Sequence, residues 1–140
     1  MTETIEKGVL ALAGTQHKKP LTPSVAFEDL PENVATVVRL VGEDFDVTHT
    51  QLLAEGRGTQ YVAKARQVVM WACSSLLEMN MVQIGETLGR DRTSIRHGIE
   101  YVEGKAQADD SVRSYLSTLN HRYLEIGAHE ASGAEGEDMI

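Results

Sequence analysis

The stretch Asn80-Met-Val-Gln-Ile-Gly-Glu-Thr-Leu-Gly-Arg-Asp-Arg-Thr-Ser-Ile-Arg-His-Gly-Ile-Glu-Tyr-Val102 reads as two helices joined by a tight turn. Ile84 and Leu88 sit four apart on the first helix, and Ile95, Ile99 and Val102 line one face of the second, so each can bury an apolar stripe against a common core. Two helices crossing at about a right angle need a small residue at the crossing and a residue that accepts positive φ in the turn, and Gly85 and Gly89 meet those needs. Asp91, directly after Gly89-Arg90, is placed to cap the amides that open the second helix, where the helix dipole also suits a phosphate. Left outside are Arg92, Thr93, Ser94, Arg96 and His97, with Arg90 in the turn. These are the residue types that a recognition helix presents to a major groove, where arginine pairs with guanine, hydroxyls serve several edges and methyls meet thymine. An ordinary helical hairpin, with glycine ending one helix and aspartate capping the next, is the alternative that this stretch alone leaves open.

Upstream, the spacing predicts a long helix over Gln60–Met79, with Ala65, Val68, Val69, Ala72, Cys73, Leu76 and Leu77 forming a continuous apolar stripe. Lys64 and Gln67 fall off that stripe and Arg66 lies at its edge, which leaves these three able to reach a phosphate backbone. Before it, Pro31 opens a helix carrying Val34, Val37, Val38 and Val41, and Thr48 caps a short helix with Leu52 and Leu53 facing inward. Glu55-Gly56-Arg57-Gly58 breaks that helix and puts Arg57 on a loop. Downstream, Asp109 caps a last helix whose buried face is Val112, Tyr115, Leu116, Leu119, Tyr123 and Ile126.

These pieces define an all-α domain of about six helices. It spans residues 31–127, with the helix-turn-helix at about 81–106. Residues 1–30 mix Gly8, Gly14, Lys18-Lys19-Pro20 and Pro23 with short apolar pieces, the reading of a flexible arm. Residues 128–140 hold four acids among Ala, Ser and Gly, the reading of a disordered acidic tail. Arm and tail are where a second copy or a protein partner would attach.

The formal net charge of −8 over 140 residues rules out a generally basic coat, so a DNA contact must come from a local patch. Between Arg57 and His97 the chain supplies one: six basic residues against three acids. The single Cys73 cannot form an internal disulfide and reads as a buried thiol in a reducing cytoplasm. No apolar run approaches the roughly 20 residues of a membrane span, so the expectation is a soluble, cytoplasmic protein working on the nucleoid. His49, His97, His121 and Cys73 lack metal-ligand spacing, and no carboxylate pair accompanies them on one helical face, so neither a metal, a cofactor nor catalysis is expected. A small helical adaptor that binds a protein is the competing class, favoured by the overall acidity.

The pair Ala63-Lys64-Ala65-Arg66-Gln67-Val68-Val69-Met70 and Ile84-Gly85-Glu86-Thr87-Leu88-Gly89-Arg90-Asp91-Arg92-Thr93-Ser94-Ile95-Arg96-His97 resembles the carboxy-terminal DNA-binding domain of the bacterial replication initiator DnaA, over roughly Pro31 to Leu124. The resemblance implies a Trp-repressor-like helix-turn-helix fold, double-stranded DNA as the partner, and a role in regulating transcription or replication initiation. It places backbone contacts on Arg66 and Gln67, the Gly-Arg-Asp turn on Gly89, Arg90 and Asp91, and the recognition hydroxyls on Thr93 and Ser94. Arg57 is the nearest match to a family arginine that enters the minor groove. The chain departs from the family in having one glycine before Arg90-Asp91, Arg92 where histidine is usual, and Lys64-Ala65 where Arg-Pro is usual. It contains no Gly-x-x-x-x-Gly-Lys-[Ser/Thr] loop, so the initiator's ATPase is not expected here.

Overall fold

The computed structural model describes residues 2–15, 26–54 and 58–138, with side chains through Gly127. Among these, the chain forms seven α-helices and one 3-10 helix. They are α1 (Thr2–Ala13), the 3-10 helix Phe27–Asp29, α2 (Glu32–Phe45), α3 (His49–Leu52), α4 (Gln60–Ser75), α5 (Met81–Leu88), α6 (Arg92–Ala108) and α7 (Asp110–Asp138). The all-α architecture read from apolar periodicity is the architecture found.

Helix α4 is central and packs against α1, α2, α3, α5 and α6. Its N-terminus is capped by Thr59, whose hydroxyl accepts from the Val62 amide at 3.2 Å. Ala65, Val68, Val69, Ala72 and Cys73 are buried along the predicted stripe. The helix ends at Ser75, short of the approximate end near Met79 that the spacing predicts. Glu78 turns the chain at φ 56°, and the Met79 amide then reaches the Cys73 carbonyl at 3.1 Å, so Leu76 and Leu77 meet the core from the turn. In α2, Val34, Val37, Val38 and Val41 have no exposed surface, and full burial of side chains of this size stabilises by about 1.5–3 kcal/mol each. Pro31 stands at the cap of α2. Thr48 caps α3 in a reciprocal box: the Gln51 amide donates to Thr48 Oγ1 at 3.1 Å, and the Thr48 amide donates to Gln51 Oε1 at 2.8 Å.

A buried polar tie joins α2 to α7. Asp44 accepts from the Tyr115 hydroxyl at 2.8 Å and from Arg122 Nη1 at 2.9 and 2.8 Å, so its carboxylate enters the interior with its charge matched.

The N-terminal residues depart from the flexible arm that the sequence suggested. Thr2–Ala13 is helical and packs on α7, with Val9 and Leu12 buried and Ile5 half-buried beside them. Ile5, Val9 and Leu12 repeat at i, i+4, i+7, a short apolar face interrupted by Gly8. That glycine, which in the sequence looks like a breaker, is a point of close helix approach: a Cβ built there would lie 2.2 Å from Tyr115 Cβ. At the other end, the backbone of the acidic stretch expected to be a disordered tail continues α7 to Asp138. Lys18 and Lys19 lie outside the described residues.

Candidate nucleic-acid interface

The helix-turn-helix is built by local chemistry. Asn80 caps α5 in a second reciprocal box: the Gln83 amide donates to Asn80 Oδ1 at 2.8 Å, and the Asn80 amide donates to Gln83 Oε1 at 2.9 Å. Gly89 ends α5 at φ 67°, and the Arg90 amide closes the turn on the Gly85 carbonyl at 2.9 Å. A Cβ at Gly85 would come within 2.6 Å of the Arg90 carbonyl oxygen, so the turn can fold back this tightly only over a glycine. Asp91 then caps α6 as its position predicts. Its Oδ1 accepts from the Ser94 amide at 2.8 Å and its Oδ2 from the Ser94 hydroxyl at 3.3 Å. The backbone hydrogen bond from Ser94 is the main reason that the Asp91 carboxyl sits below its ordinary pKa.

Helix α6 crosses α4 closely at Gly98, where a Cβ would stand 2.5 Å from Met70 Sδ and 3.1 Å from Gln67 Cγ. This crossing sets the polar flank of α4 beside the first turns of α6. Between them lies a groove whose polar lining is Gln60, Lys64, Gln67, Thr93, Ser94 and His97, with Ala63, Arg66, Met70 and Arg90 completing its walls. Thr93, Ser94 and His97 are exposed on α6, as are Arg92 and Arg96. Arg92, in the first turn, borders a second shallow concavity over Val82, Gly85 and Glu86.

The sequence candidates divide by what their side chains touch. Lys64 is half-buried, with Nζ 3.7 Å from the ring centroid of Tyr101. Burial first, and then the charge of Lys105, lower its pKa. Gln67 is half-buried in the groove, and its Oε1 is buried without a hydrogen-bond partner among the described residues.

Arg66 differs from its reading as a side chain free to reach a phosphate. It is 5% exposed, and its guanidinium donates from Nε to the Leu52 carbonyl and from Nη2 to the Gln51 carbonyl, both at 2.9 Å. Burial, helped by nearby Arg90, lowers its pKa to about 10. The end of α3 closes over it, so in this fold Arg66 holds the α3–α4 connection against α4. The signal was in the spacing: Val62, Arg66, Val69 and Cys73 fall at i, i+4, i+7, i+11, on the buried side. Arg90 is also engaged internally, donating from Nη2 to the carbonyl of Ala54, and so pins the turn to the segment after α3. Arg57 lies outside the described residues. Two residues that the sequence reading did not single out help to shape the site: Gly98, which sets the crossing, and Tyr101, on which Lys64 rests.

Comparison with known proteins agrees with the helix-turn-helix. Residues 34–102 match the family described as the bacterial dnaA protein helix-turn-helix. The chain is 31% identical over 128 residues to the chromosomal replication initiator protein DnaA of Thermomicrobium roseum, an alignment covering 84% of this chain and 27% of that protein. It is 30% identical over 97 residues to the protein of the same name from Mycobacteroides abscessus, covering 69% of this chain and 20% of the relative. Against the Xanthobacter autotrophicus initiator the identity is 29% over 93 residues, with 66% of this chain and 18% of the relative covered. The chain thus spans about a fifth to a quarter of the length of these relatives. Over α2 to α6 it carries a helix-turn-helix of the bacterial dnaA protein type, and over most of its length it resembles the C-terminal domain of that initiator.

Proposed function

We propose that this chain binds double-stranded DNA, with the first turns of α6 in the major groove and the flank of α4 against the neighbouring phosphate backbone. One observation supports this above the others: Thr93, Ser94 and His97 of α6 share a groove with Lys64 and Gln67 of α4, and Arg92 and Arg96 are exposed on the same recognition helix. In a chain of net charge −8, such a cluster of cations and hydroxyls around the N-terminus of one helix fits a polyanion better than it fits an acidic protein surface. Binding is sequence-specific. Arg92 projects from the first turn, where a guanidinium can take guanine O6 and N7 together, a contact worth roughly 1–3 kcal/mol of discrimination at one base pair. The protein acts by occupancy and not by catalysis, as a regulator of transcription or of replication initiation, and it works in the cytoplasm on the nucleoid. Of these two processes, the names of its relatives as chromosomal replication initiators favour replication initiation.

A gel-shift titration against random duplex DNA at two salt concentrations tests the binding class. Affinity should fall steeply as salt rises, because each neutralised phosphate contributes about −0.9 to the slope of log K against log salt. Absence of a salt-dependent shift would exclude DNA as the partner. Selection from a random duplex library with wild type and Arg92→Ala then tests readout. One invariant guanine that relaxes in the variant supports base contact, whereas an unchanged consensus at uniformly lower affinity assigns Arg92 to a phosphate.

A further inference from the structure

Helices α1, α4 and α6 meet at one side chain, the Tyr101 on which Lys64 rests. Tyr101 on α6 donates its hydroxyl to the carbonyl of Leu12, near the C-terminal end of α1, at 2.6 Å. Its ring carries Lys64 Nζ at 3.7 Å from the centroid, with Lys105 Nζ farther off at 5.9 Å. Lys64 in turn lines the groove with Gln67, Thr93, Ser94 and His97. We propose that Tyr101 is a positioning residue for DNA binding: its ring, fixed by the Leu12 carbonyl of α1, holds the Lys64 ammonium at the groove, where it meets a phosphate of the duplex.

This inference rests on the DNA-binding reading above. Its physical basis is preorganisation. A free lysine has a flexible four-carbon stem whose freedom is lost on binding, and a contact that restrains the side chain beforehand reduces that loss. An aromatic face attracts a cation within about 6 Å of its centroid, so the 3.7 Å approach is well inside range. The ring covers one side of the ammonium, and the remaining N–H groups stay available to phosphate oxygens. Burial and the neighbouring charge of Lys105 both work against the Lys64 cation in the free protein, and the negative charge of an arriving phosphate offsets them. The ring itself is anchored through α1, which the close contact of Gly8 with Tyr115 seats on α7. The N-terminal helix therefore contributes to the interface through the ring that it anchors.

The test is a double-variant cycle read by fluorescence anisotropy on a duplex at several salt concentrations. Lys64→Ala should reduce the salt slope by about 0.9, one phosphate contact. Tyr101→Leu should weaken binding about two- to tenfold, the range for a flexible side chain that must be ordered on binding when it is not restrained beforehand. Tyr101→Phe keeps the ring but loses its bond to the Leu12 carbonyl, so its affinity should fall between those of wild type and Tyr101→Leu. In the Lys64→Ala background, Tyr101→Leu should have no further effect. In the free protein, the ring-current shift of the Lys64 side-chain protons should disappear in Tyr101→Leu and persist in Tyr101→Phe. An equal loss in both backgrounds would make Tyr101 merely structural, and unchanged or tighter binding by Tyr101→Leu would mean that the ring does not assist Lys64; either result overturns the inference while leaving DNA binding intact. Wild-type protein that shows no salt-dependent binding overturns the DNA reading itself, and the inference with it.

Discussion

Replacing Gly8 by alanine separates two descriptions of the N-terminus by the sign of the effect. The added methyl would stand 2.2 Å from Tyr115 Cβ, 2.8 Å from Tyr115 Cγ and 3.2 Å from the Ser111 carbonyl oxygen. Carbon atoms in contact ordinarily sit about 3.5–4.0 Å apart, so α1 and α7 must separate by more than about 1 Å. Tyr115 is fully buried and hydrogen-bonded to Asp44, which leaves it little room to move aside. Overpacking of this kind costs about 1–3 kcal/mol. Full release of α1 would instead expose Val9 and Leu12, whose burial is worth about 1.5–3 kcal/mol each. Against either runs the helix preference of alanine over glycine, about 0.8–1.0 kcal/mol. An approach as short as 2.2 Å puts the overpacking at the upper end of its range, so after the alanine preference is subtracted the net expectation is a loss of about 1–2 kcal/mol, which lowers the urea midpoint by about 1 M at the m-values usual for small domains. Urea unfolding followed by circular dichroism measures it, and hydrogen exchange at Val9 and Leu12 should accelerate in parallel. If α1 were a free helical arm, the same substitution would be neutral or stabilising through propensity alone. A midpoint that holds or rises therefore refutes the packing argued here.

Three further outcomes follow from the site and the core. Arg66→Met keeps the aliphatic stem and removes the guanidinium bound to the Gln51 and Leu52 carbonyls; the salt slope of DNA binding should stay at the wild-type value, and a fall of about 0.9 would return Arg66 to the phosphate backbone. Because the Asp91 carboxyl is held below its ordinary pKa, mainly by the Ser94 amide, its contribution to α6 is complete above the unfolded carboxylate pKa of about 3.9 and is lost as pH falls through the lower folded value. Acid titration of wild type and Asp91→Ala by circular dichroism should show that difference closing at low pH, and a difference that persists unchanged would remove the carboxylate from the cap. Cys73, buried with its thiol pushed up to about 12, should resist a thiol-specific reagent at pH 8 in folded protein and react once the chain is unfolded in guanidinium.

The elements that the sequence determined by itself are those whose causes are local. The valines of α2, the stripe of α4 and the faces of α6 and α7 repeat at helical spacing, and a helix that buries one face needs no other information to be recognised. Thr48, Asp91 and Asp109 cap helices through bonds to amides two or three residues away, so their roles can be read within a few positions of sequence. The helix-turn-helix belongs to this class, because Gly85, Gly89 and Asp91 all act inside one turn. Its exposed face follows from which positions are left once Ile84, Leu88, Ile95 and Val102 are buried.

What only the tertiary structure decided depends on groups far apart along the chain. Gly8 reads as a break until Tyr115 is set against it; only then is it the contact that lets α1 dock. Arg66 lies at the edge of an apolar stripe, where spacing allows either solvent or interior, and the carbonyls of Gln51 and Leu52 draw it inward. Lys64 and Tyr101 share no local pattern, and they meet because Gly98 allows α6 to cross α4 at close range. Periodicity assigns a residue to a face of its own helix, but which neighbour covers that face, and which polar groups that neighbour brings, is set by the packing of the other helices.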